Sequence, residues 1–195
     1  MKTGLFFGTF NPIHHGHLMV ANFMHQFTDL DDVWFVITPQ SPFKKRENLL
    51  DNRDRQHLVS LAIKDQYDFK ASDIEFNLPK PNYTVHTLTH LREKYPEREF
   101  VLIMGGDNLT HLHKWYNVEQ ILSTHKVYVY RRPGADIPDR WENSIGKGII
   151  QVFDAPQLDI SASFIRKSIQ NQKNIRYFIP DAVYQYIKEM HFYEK

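Results

Sequence analysis

The 195-residue sequence contains no cysteine, which excludes a disulfide framework and fits a reducing compartment. Long apolar runs are missing too, and none approaches the roughly 20 residues of a membrane-spanning helix. The first residues lead directly into a short apolar run, without the pattern of a signal peptide. We therefore expect a soluble, cytoplasmic protein that has no membrane partner.

An excess of charge of one sign is missing as well. The chain has 24 Lys and Arg residues against 23 Asp and Glu residues, for a formal net charge of +1. This balance disfavours a nucleic-acid polymer as partner, so any anion must be bound by a local site. The length fits a single domain over residues 1–195. Within it we distinguish a core, 1–134, from a C-terminal part, 135–195.

A strand, a loop and a helix open the chain. Leu5-Phe6-Phe7 is a short apolar run, typical of a buried strand, and apolar residues at helical spacing predict a helix from about Gly16 to Phe27. Pro12 fixes its own φ and favours an extended conformation at Asn11, so the intervening loop is not expected to be helical. That loop reads Gly8-Thr9-Phe10-Asn11-Pro12-Ile13-His14-His15-Gly16-His17.

The position of this loop predicts an anion site. Open α/β sheets bind ligands at the carboxyl ends of their strands, and a helix N-terminus offers unpaired N–H groups and partial positive charge. His14 and His17 are three residues apart, so both imidazoles can face one anion. Gly8 and Gly16 lack a Cβ and so let the backbone or a ligand approach the loop closely. The alternatives are incidental surface histidines or a structural metal site, although no His-Glu-x-x-His spacing supports zinc.

The remaining apolar segments predict a fold of the α/β class. Helical segments separate strands at Val33–Ile37, Phe69–Phe76, Phe100–Met104, Lys126–Tyr130 and Ile149–Phe153. We expect a Rossmann-like doubly wound parallel sheet with helices on both faces and a small helical C-terminal part. In the order 3-2-1-4-5, strands one and four are neighbours where a nucleotide sits. Residues 136–148 are expected to form an exposed connection.

Two further segments carry candidate site residues. The fourth strand is predicted to end in a glycine loop, Gly105-Gly106-Asp107, where Asp107 can accept ribose hydroxyls or cap the next helix. Ser161-Ala162-Ser163-Phe164-Ile165-Arg166 opens another helix, in which Ser161 is a natural N-cap. Arg166 adds positive charge near an already positive helix end, which points to an anionic ligand.

A basic run, Lys44-Lys45-Arg46, follows strand two among prolines. Prolines and adjacent cations favour a loop. Two interpretations stay open: a solvated basic turn, or a mobile arm that contacts phosphates near the histidine loop.

The His14-His15-Gly16-His17 segment resembles the His-x-Gly-His signature of the nucleotidyltransferase superfamily. More closely, the chain resembles the bacterial nicotinate-nucleotide adenylyltransferases over nearly its whole length. Asn82-Tyr83-Thr84, Arg131-Arg132-Pro133-Gly134 and the Ser161–Arg166 segment carry this resemblance. The chain departs from the family at Asn82, where Ser is usual, and at Phe43, which replaces the His of a Pro-His-Lys sequence.

The resemblance implies an enzyme that joins ATP and nicotinate mononucleotide into deamido-NAD and pyrophosphate, with Mg²⁺ bridging the phosphates. The sequence shows no dedicated carboxylate cluster for a metal, so we expect Mg²⁺ to arrive on ATP. It implies catalytic roles for His14, His17 and Arg166 at the phosphates. The implied ATP-binding residues are Gly8, Thr9, Phe10, Gly16, Lys44, Gly105, Asp107, Ser161 and Ser163. Thr84, Trp115 and Tyr116 would bind the nicotinate nucleotide. Trp115 would lie against the pyridine ring, and Thr84 and main-chain N–H groups near Trp115 and Tyr116 would donate to the carboxylate. The oligomeric state stays open, with a homo-oligomer among the options.

Other functions remain open at this point. A nicotinamide-mononucleotide or phosphopantetheine adenylyltransferase would keep the same signatures, and a non-catalytic nucleotide sensor could use the same fold. A dehydrogenase is disfavoured, because no Gly-x-Gly-x-x-Gly follows the first strand.

Overall fold

A computed structural model describes residues 1–39, 49–131, 137–156 and 158–194 of the chain. The basic run Lys44-Lys45-Arg46, for which a turn and a phosphate-contacting arm were both open, and the Arg132-Pro133-Gly134 segment lie outside these residues.

Six strands form a sheet in which all adjacent pairs are parallel. Their order is β3-β2-β1-β4-β5-β6, so the predicted neighbourhood of strands one and four is confirmed. The interior strands are apolar on both sides, as a sheet covered on both faces requires. The strands are β1 (Lys2–Gly8), β2 (Asp32–Ile37), β3 (Phe69–Ser72), β4 (Glu99–Gly105), β5 (Lys126–Tyr130) and β6 (Ile150–Phe153).

Helices cover both faces of the sheet. They are α1 (His15–Phe27), α2 (Asn52–Ala62), α3 (Thr84–Lys94), α4 (Gly106–His111), α5 (Val118–Thr124), α6 (Glu142–Gly146), α7 (Ala162–Gln170) and α8 (Asp181–Glu189). Short 3₁₀ helices span Ile74–Asn77, Leu112–Lys114 and Asp139–Trp141. No described helix is long and apolar enough to cross a membrane.

Alternate residues of each strand enter opposite halves of the core. In β1, Phe6 packs with residues of α1, α2, α7 and α8, whereas Leu5 packs with residues of α3, α4 and α5. This alternation follows from the two-residue period of a strand. The C-terminal part contributes to the same structure, because β6 pairs with β5 and Val183 and Ile187 of α8 belong to the first half of the core.

Three local predictions are wrong wholly or in part. The described residues of the connection, 137–148, are exposed or half-buried except Trp141, which is 7% exposed, and they include a 3₁₀ turn and α6. The Trp141 indole N–H donates to the Leu109 carbonyl oxygen at 3.1 Å. A single buried aromatic among polar neighbours has no periodicity that would reveal it. The strand predicted to reach Phe76 ends at Ser72, and β4 passes into α4 at Gly106 without an intervening glycine loop.

Candidate active site

The histidine loop lies at the carboxyl edge of the sheet, where β1 ends beside β2 and β4. Thr38 N–H donates to the Gly8 carbonyl oxygen at 2.9 Å and extends the β1–β2 pairing by one bond. The loop then runs from Thr9 to His14, the N-cap of α1. Because α3, α4 and α7 begin after strands β3, β4 and β6, their N-termini lie at the same edge of the sheet.

His14 and His17 are brought together as the sequence predicts. Their rings stack with centroids 3.7 Å apart and an interplanar angle of 27°. The main-chain N–H of His14 donates to Nδ1 of His17 at 3.3 Å. A neutral imidazole that accepts at Nδ1 carries its proton on Nε2. His17 therefore has a fixed tautomer with a donor on the ring atom away from the helix cap, whereas the ring of His14 is buried.

Phe10 does not present its side chain to a ligand. Its ring is 1% exposed and packs edge-to-face with Phe6, Phe35 and His17. The backbone of Phe10 is left-handed, with φ of +44°. The ring thereby folds back over Gly8, where a Cβ would lie 2.8 Å from a ring carbon. Phe10 shapes the loop by packing, and only its main chain can face a nucleotide.

The N-terminus of α1 is partly satisfied within the protein. The N–H of His15 donates to the Phe178 carbonyl oxygen at 3.1 Å, and that of His17 donates to the His14 carbonyl oxygen at 3.0 Å. Gly16 lies between them, and a Cβ there would come within 3.1 Å of the His14 ring. Glycine at this position lets the loop pass close to the imidazole pair.

Arg166 reaches the histidine loop from α7. Its Nη1 donates to the main-chain oxygen of Asn11 at 2.8 Å, and its Nη2 donates to Ser163 Oγ at 3.3 Å. Ser161 is the N-cap of α7, and its Oγ accepts the N–H of Phe164 at 3.1 Å. A guanidinium has five N–H donors, so these two bonds leave capacity for a bound anion.

Asn11 and Arg55 hold the loop from behind. The Oδ1 of Asn11 accepts the Tyr193 hydroxyl at 2.7 Å and the Leu50 N–H at 3.3 Å. The guanidinium of Arg55 is fully buried and donates to the Thr9 carbonyl oxygen at 2.7 Å. Its other partners are the carbonyl oxygens of Leu50, Thr38 and Pro39 and the side chain of Asn52. Burial lowers the pKa of the Arg55 guanidinium, which nevertheless stays charged because an arginine starts far above neutrality.

Thr84, Trp115 and Tyr116 lie near one another around the start of α3. Thr84 is its first residue, and the ring of Tyr83 lies 4.9 Å from that of Tyr116, centroid to centroid. Tyr116 is 51% exposed, whereas Trp115 is half-buried and packs against the second half of the core. The Trp115 N–H, expected to contact a carboxylate, donates instead to the Leu112 carbonyl oxygen at 3.0 Å.

A buried carboxyl supports this second cluster. Glu75 is almost fully buried, and its Oε1 accepts the Thr87 hydroxyl at 2.7 Å. The Asn82 amide donates to the Glu75 main-chain oxygen at 3.1 Å. Burial raises the pKa of Glu75 to about 7, against a smaller lowering by the Thr87 and Thr38 hydroxyls. The turn after β3 and the first turns of α3 are thus joined by a group that titrates near neutrality.

Gly105 and Asp107 flank the start of α4 beside β1. Gly105 is the last residue of β4 and the N-cap of α4, and the exposed Asp107 lies in the first helical turn. A carboxylate there suits the positive helix end and can also accept ribose hydroxyls. Among the residues that the structure describes, no group of three or more His, Cys, Asp or Glu side chains could hold a metal ion.

Sequence reasoning missed Asn11, Arg55, Glu75 and Tyr193 as parts of this site. One signal was present for Arg55: it precedes Leu58 and Val59 on the apolar face of α2, where a basic residue is unusual. Glu75 and Tyr193 are ordinary residues in their local sequence, and only their contacts reveal them.

Comparisons with known proteins find similar sequences over the whole chain. A family model of cytidylyltransferase-like proteins matches residues 5–168. A probable nicotinate-nucleotide adenylyltransferase of Flavobacterium psychrophilum is 53% identical over 195 residues, which are 100% of both chains. A protein of the same name from Flavobacterium johnsoniae is 53% identical over 197 residues, with 100% of both chains covered.

Solved structures share the fold. Plasmodium falciparum nicotinic acid mononucleotide adenylyltransferase, complexed with NaAD, matches with a TM-score of 0.80 and 19% identity. The match covers 99% of this chain and 97% of that chain. At this identity the likeness shows the common architecture alone.

Proposed function

The chain belongs to the cytidylyltransferase-like family and, within it, to the nicotinate-nucleotide adenylyltransferases, and from this membership we propose that it joins ATP and nicotinate mononucleotide into deamido-NAD. A 5′-phosphate oxygen of the mononucleotide attacks the α-phosphorus of ATP. The bond from that phosphorus to the bridging oxygen of the β-phosphate breaks, and pyrophosphate leaves with the electron pair. The product, nicotinate adenine dinucleotide, is an intermediate of NAD biosynthesis.

The observation that supports this chemistry best is the contact of Arg166 with the histidine loop. It places a guanidinium, two helix N-termini and the His17 ring around one region of the sheet edge. The described residues of this region include no candidate covalent nucleophile with its own base. Direct phosphoryl-group chemistry depends mainly on positioning and charge stabilisation, which such a set of donors supplies.

The protonation of His17 suits a donor role. With Nδ1 occupied by the His14 N–H, Nε2 carries a proton in the neutral ring and can donate to the α-phosphate as its charge grows. Arg166 keeps donors for the departing phosphates. Ser163 is coupled to Arg166 through its Oγ, so it orients the guanidinium as well as contacting phosphate.

Mg²⁺ would enter as part of the substrate MgATP. It prefers phosphate and water oxygens and keeps several of its waters. The donor set of the candidate site is cationic or neutral, which fits binding of the free phosphate oxygens that the ion does not engage. The protein's own residues bind and orient the phosphates.

The nicotinate end is assigned to Thr84, Trp115 and Tyr116. A half-buried indole offers a flat face to a pyridine ring, and the Thr84 hydroxyl can donate to a carboxylate. Since the Trp115 N–H is already occupied, the Tyr116 N–H and the first N–H groups of α3 are the remaining main-chain candidates.

One experiment separates the candidate functions. Purified protein is given MgATP with nicotinate mononucleotide, nicotinamide mononucleotide or phosphopantetheine, and the products are identified by mass spectrometry. Deamido-NAD and pyrophosphate in equal amounts support the proposal. Another adenylylated product would reassign the substrate, and ATP binding without turnover would indicate a sensor. Cytoplasmic location and the homo-oligomeric option stay predictions, tested by fractionation and by light scattering.

A further inference from the structure

We propose that Tyr193, the third residue from the end of the sequence, is a positioning residue for adenylyl transfer that holds the histidine loop through Asn11. This inference rests on the proposed function, since it concerns the same reaction. It assigns a role to a segment far from both sequence signatures.

The contact is short and buried. The Tyr193 hydroxyl donates to Asn11 Oδ1 at 2.7 Å, across 182 positions of sequence. Tyr193 is 8% exposed and Asn11 is 4% exposed. Water has little access to either partner, so loss of the hydroxyl would leave the Asn11 oxygen with one donor fewer and no ready replacement.

Asn11 transmits this contact to the site. Its Oδ1 also accepts the Leu50 N–H at 3.3 Å, and its main-chain oxygen accepts Arg166 Nη1 at 2.8 Å. Side chain and main chain of one residue are thus held from three distant parts of the chain. His14 follows three residues later, so a shift of Asn11 displaces the imidazole pair relative to Arg166.

The end of the chain is bent to bring the ring inside. His191 and Tyr193 have φ values of +53° and +66°, a left-handed conformation that is unfavourable for residues with a Cβ. The Phe192 N–H donates to the Ile187 carbonyl oxygen at 3.1 Å and closes this turn. Tertiary contacts must stabilise such a conformation, and the Tyr193–Asn11 bond is one of them.

The hydroxyl is a donor at every working pH. Burial raises the pKa of Tyr193, and the positive charges of Arg166 and Arg55 oppose this to a smaller extent. Tyr193 therefore stays neutral, and its proton stays available to Asn11. The Tyr193 hydroxyl and Arg166 Nη1 both donate to Asn11, to its side-chain and main-chain oxygens respectively.

Tyr193→Phe removes the hydroxyl and keeps the ring. The matched control is Tyr128→Phe: the Tyr128 ring is also buried, and its hydroxyl donates to Asp29, which follows α1 at the opposite edge of the sheet. Both variants are expected to lower the Tm by a few degrees. Only Tyr193→Phe should lower kcat, by about tenfold, because a misplaced catalytic geometry costs up to about 10²-fold. The KM for nicotinate mononucleotide should stay within about twofold.

A second readout is amide exchange of residues 9–17 in the free protein, which should be faster in Tyr193→Phe and unchanged in Tyr128→Phe. It needs no substrate, so it tests the positioning role even if wild-type protein fails to make deamido-NAD and the proposed function falls. A kcat within twofold of wild type, an equal loss in Tyr128→Phe, or unchanged exchange in the loop would each overturn the inference.

Discussion

Arg166 Nη1 donates to the main-chain oxygen of Asn11 at 2.8 Å, which joins two residues 155 positions apart. Asn11 lies in the loop that leads to His14 and His17, and Arg166 lies in the second signature segment. The geometry of the candidate site therefore depends on a contact between the two motifs. Through this contact Arg166 also has a structural role, in addition to its proposed role at the phosphates.

Arg166→Lys tests both the structural role and the phosphate role of this residue. A lysine keeps the charge but cannot donate to Asn11 and two phosphate oxygens together. We expect kcat/KM for ATP to fall about tenfold to a hundredfold, since hydrogen bonds to charged groups contribute about 1.5–3 kcal/mol. Stability should fall by only about 1 kcal/mol for the lost Asn11 bond. Arg176→Lys, which affects the exposed pair with Asp181, is the control. Wild-type ATP kinetics in Arg166→Lys would contradict the phosphate role.

His17→Ala should lower kcat by about 10²–10³ with little change in KM for ATP, as for the loss of one donor to transition-state charge. His17→Asn keeps an acceptor for the His14 N–H but lacks Nε2, so it should be equally slow while keeping the helix start. His15→Ala is the control, because the His15 ring makes no hydrogen bond or ring contact within the described residues. An unchanged kcat in steady-state kinetics would remove His17 from the mechanism.

Nicotinate mononucleotide should be preferred to nicotinamide mononucleotide by roughly tenfold to a hundredfold in kcat/KM. A carboxylate only accepts hydrogen bonds, whereas the amide NH₂ would face other donors, an unpaired contact that costs about 1–3 kcal/mol. Trp115→Ala should weaken the mononucleotide and leave ATP binding nearly unchanged, while Trp115→Phe, which keeps a flat ring, should be milder. Equal kcat/KM values for the two mononucleotides would refute the nicotinate preference but leave adenylyl transfer standing.

Glu75 predicts a loss of stability as the pH rises. Its pKa is about 7 in the folded protein against 4.5 for an ordinary glutamate, so the folded state binds more protons between these values and stability falls as the pH rises across that window. This pKa difference corresponds to about 3 kcal/mol in the free energy of unfolding. Glu75→Gln keeps an acceptor for the Thr87 hydroxyl. Its free energy of unfolding, compared with that of wild type at the same pH, should be more favourable at pH 8 than at pH 4.5. Parallel urea-unfolding curves with the same offset at both pH values would contradict this.

For His125 we expect the opposite pH dependence, in which the free energy of unfolding falls as the pH falls. Burial, and to a lesser extent the charge of Arg92, lower its pKa from 6.5 to about 4. The unfolded state binds more protons between these values, so stability is lost as the pH falls from 6.5 towards 4, by about 3 kcal/mol in total. His125→Gln should remove this acid sensitivity. Because the windows of Glu75 and His125 overlap, wild-type stability should vary little near pH 5–6, and the two variants should show opposite slopes in urea unfolding.

Much of the architecture could be predicted from the sequence. Strands β1, β2, β4 and β5 are short, apolar runs bounded by turn residues, and the sheet order follows from alternating strands and helices. The N-cap at Ser161 and the stacked pair His14–His17 are also local, since three-residue spacing at a helix start brings side chains together whatever the rest of the chain does. Such features depend on neighbours in sequence, and their physics is contained in short windows.

The supports of the site depend on contacts between distant segments, and no local pattern encodes them. Phe10 lies in the histidine loop, yet its ring is buried because a left-handed backbone turns it over Gly8. Trp141 is buried because the Leu109 carbonyl oxygen accepts its indole N–H. Tyr193 reaches Asn11 because α8 packs on the same face of the sheet as α1. Burial and long-range hydrogen bonds exist only once the chain has packed, so the motifs identify the chemistry and the packing of remote segments sets its geometry.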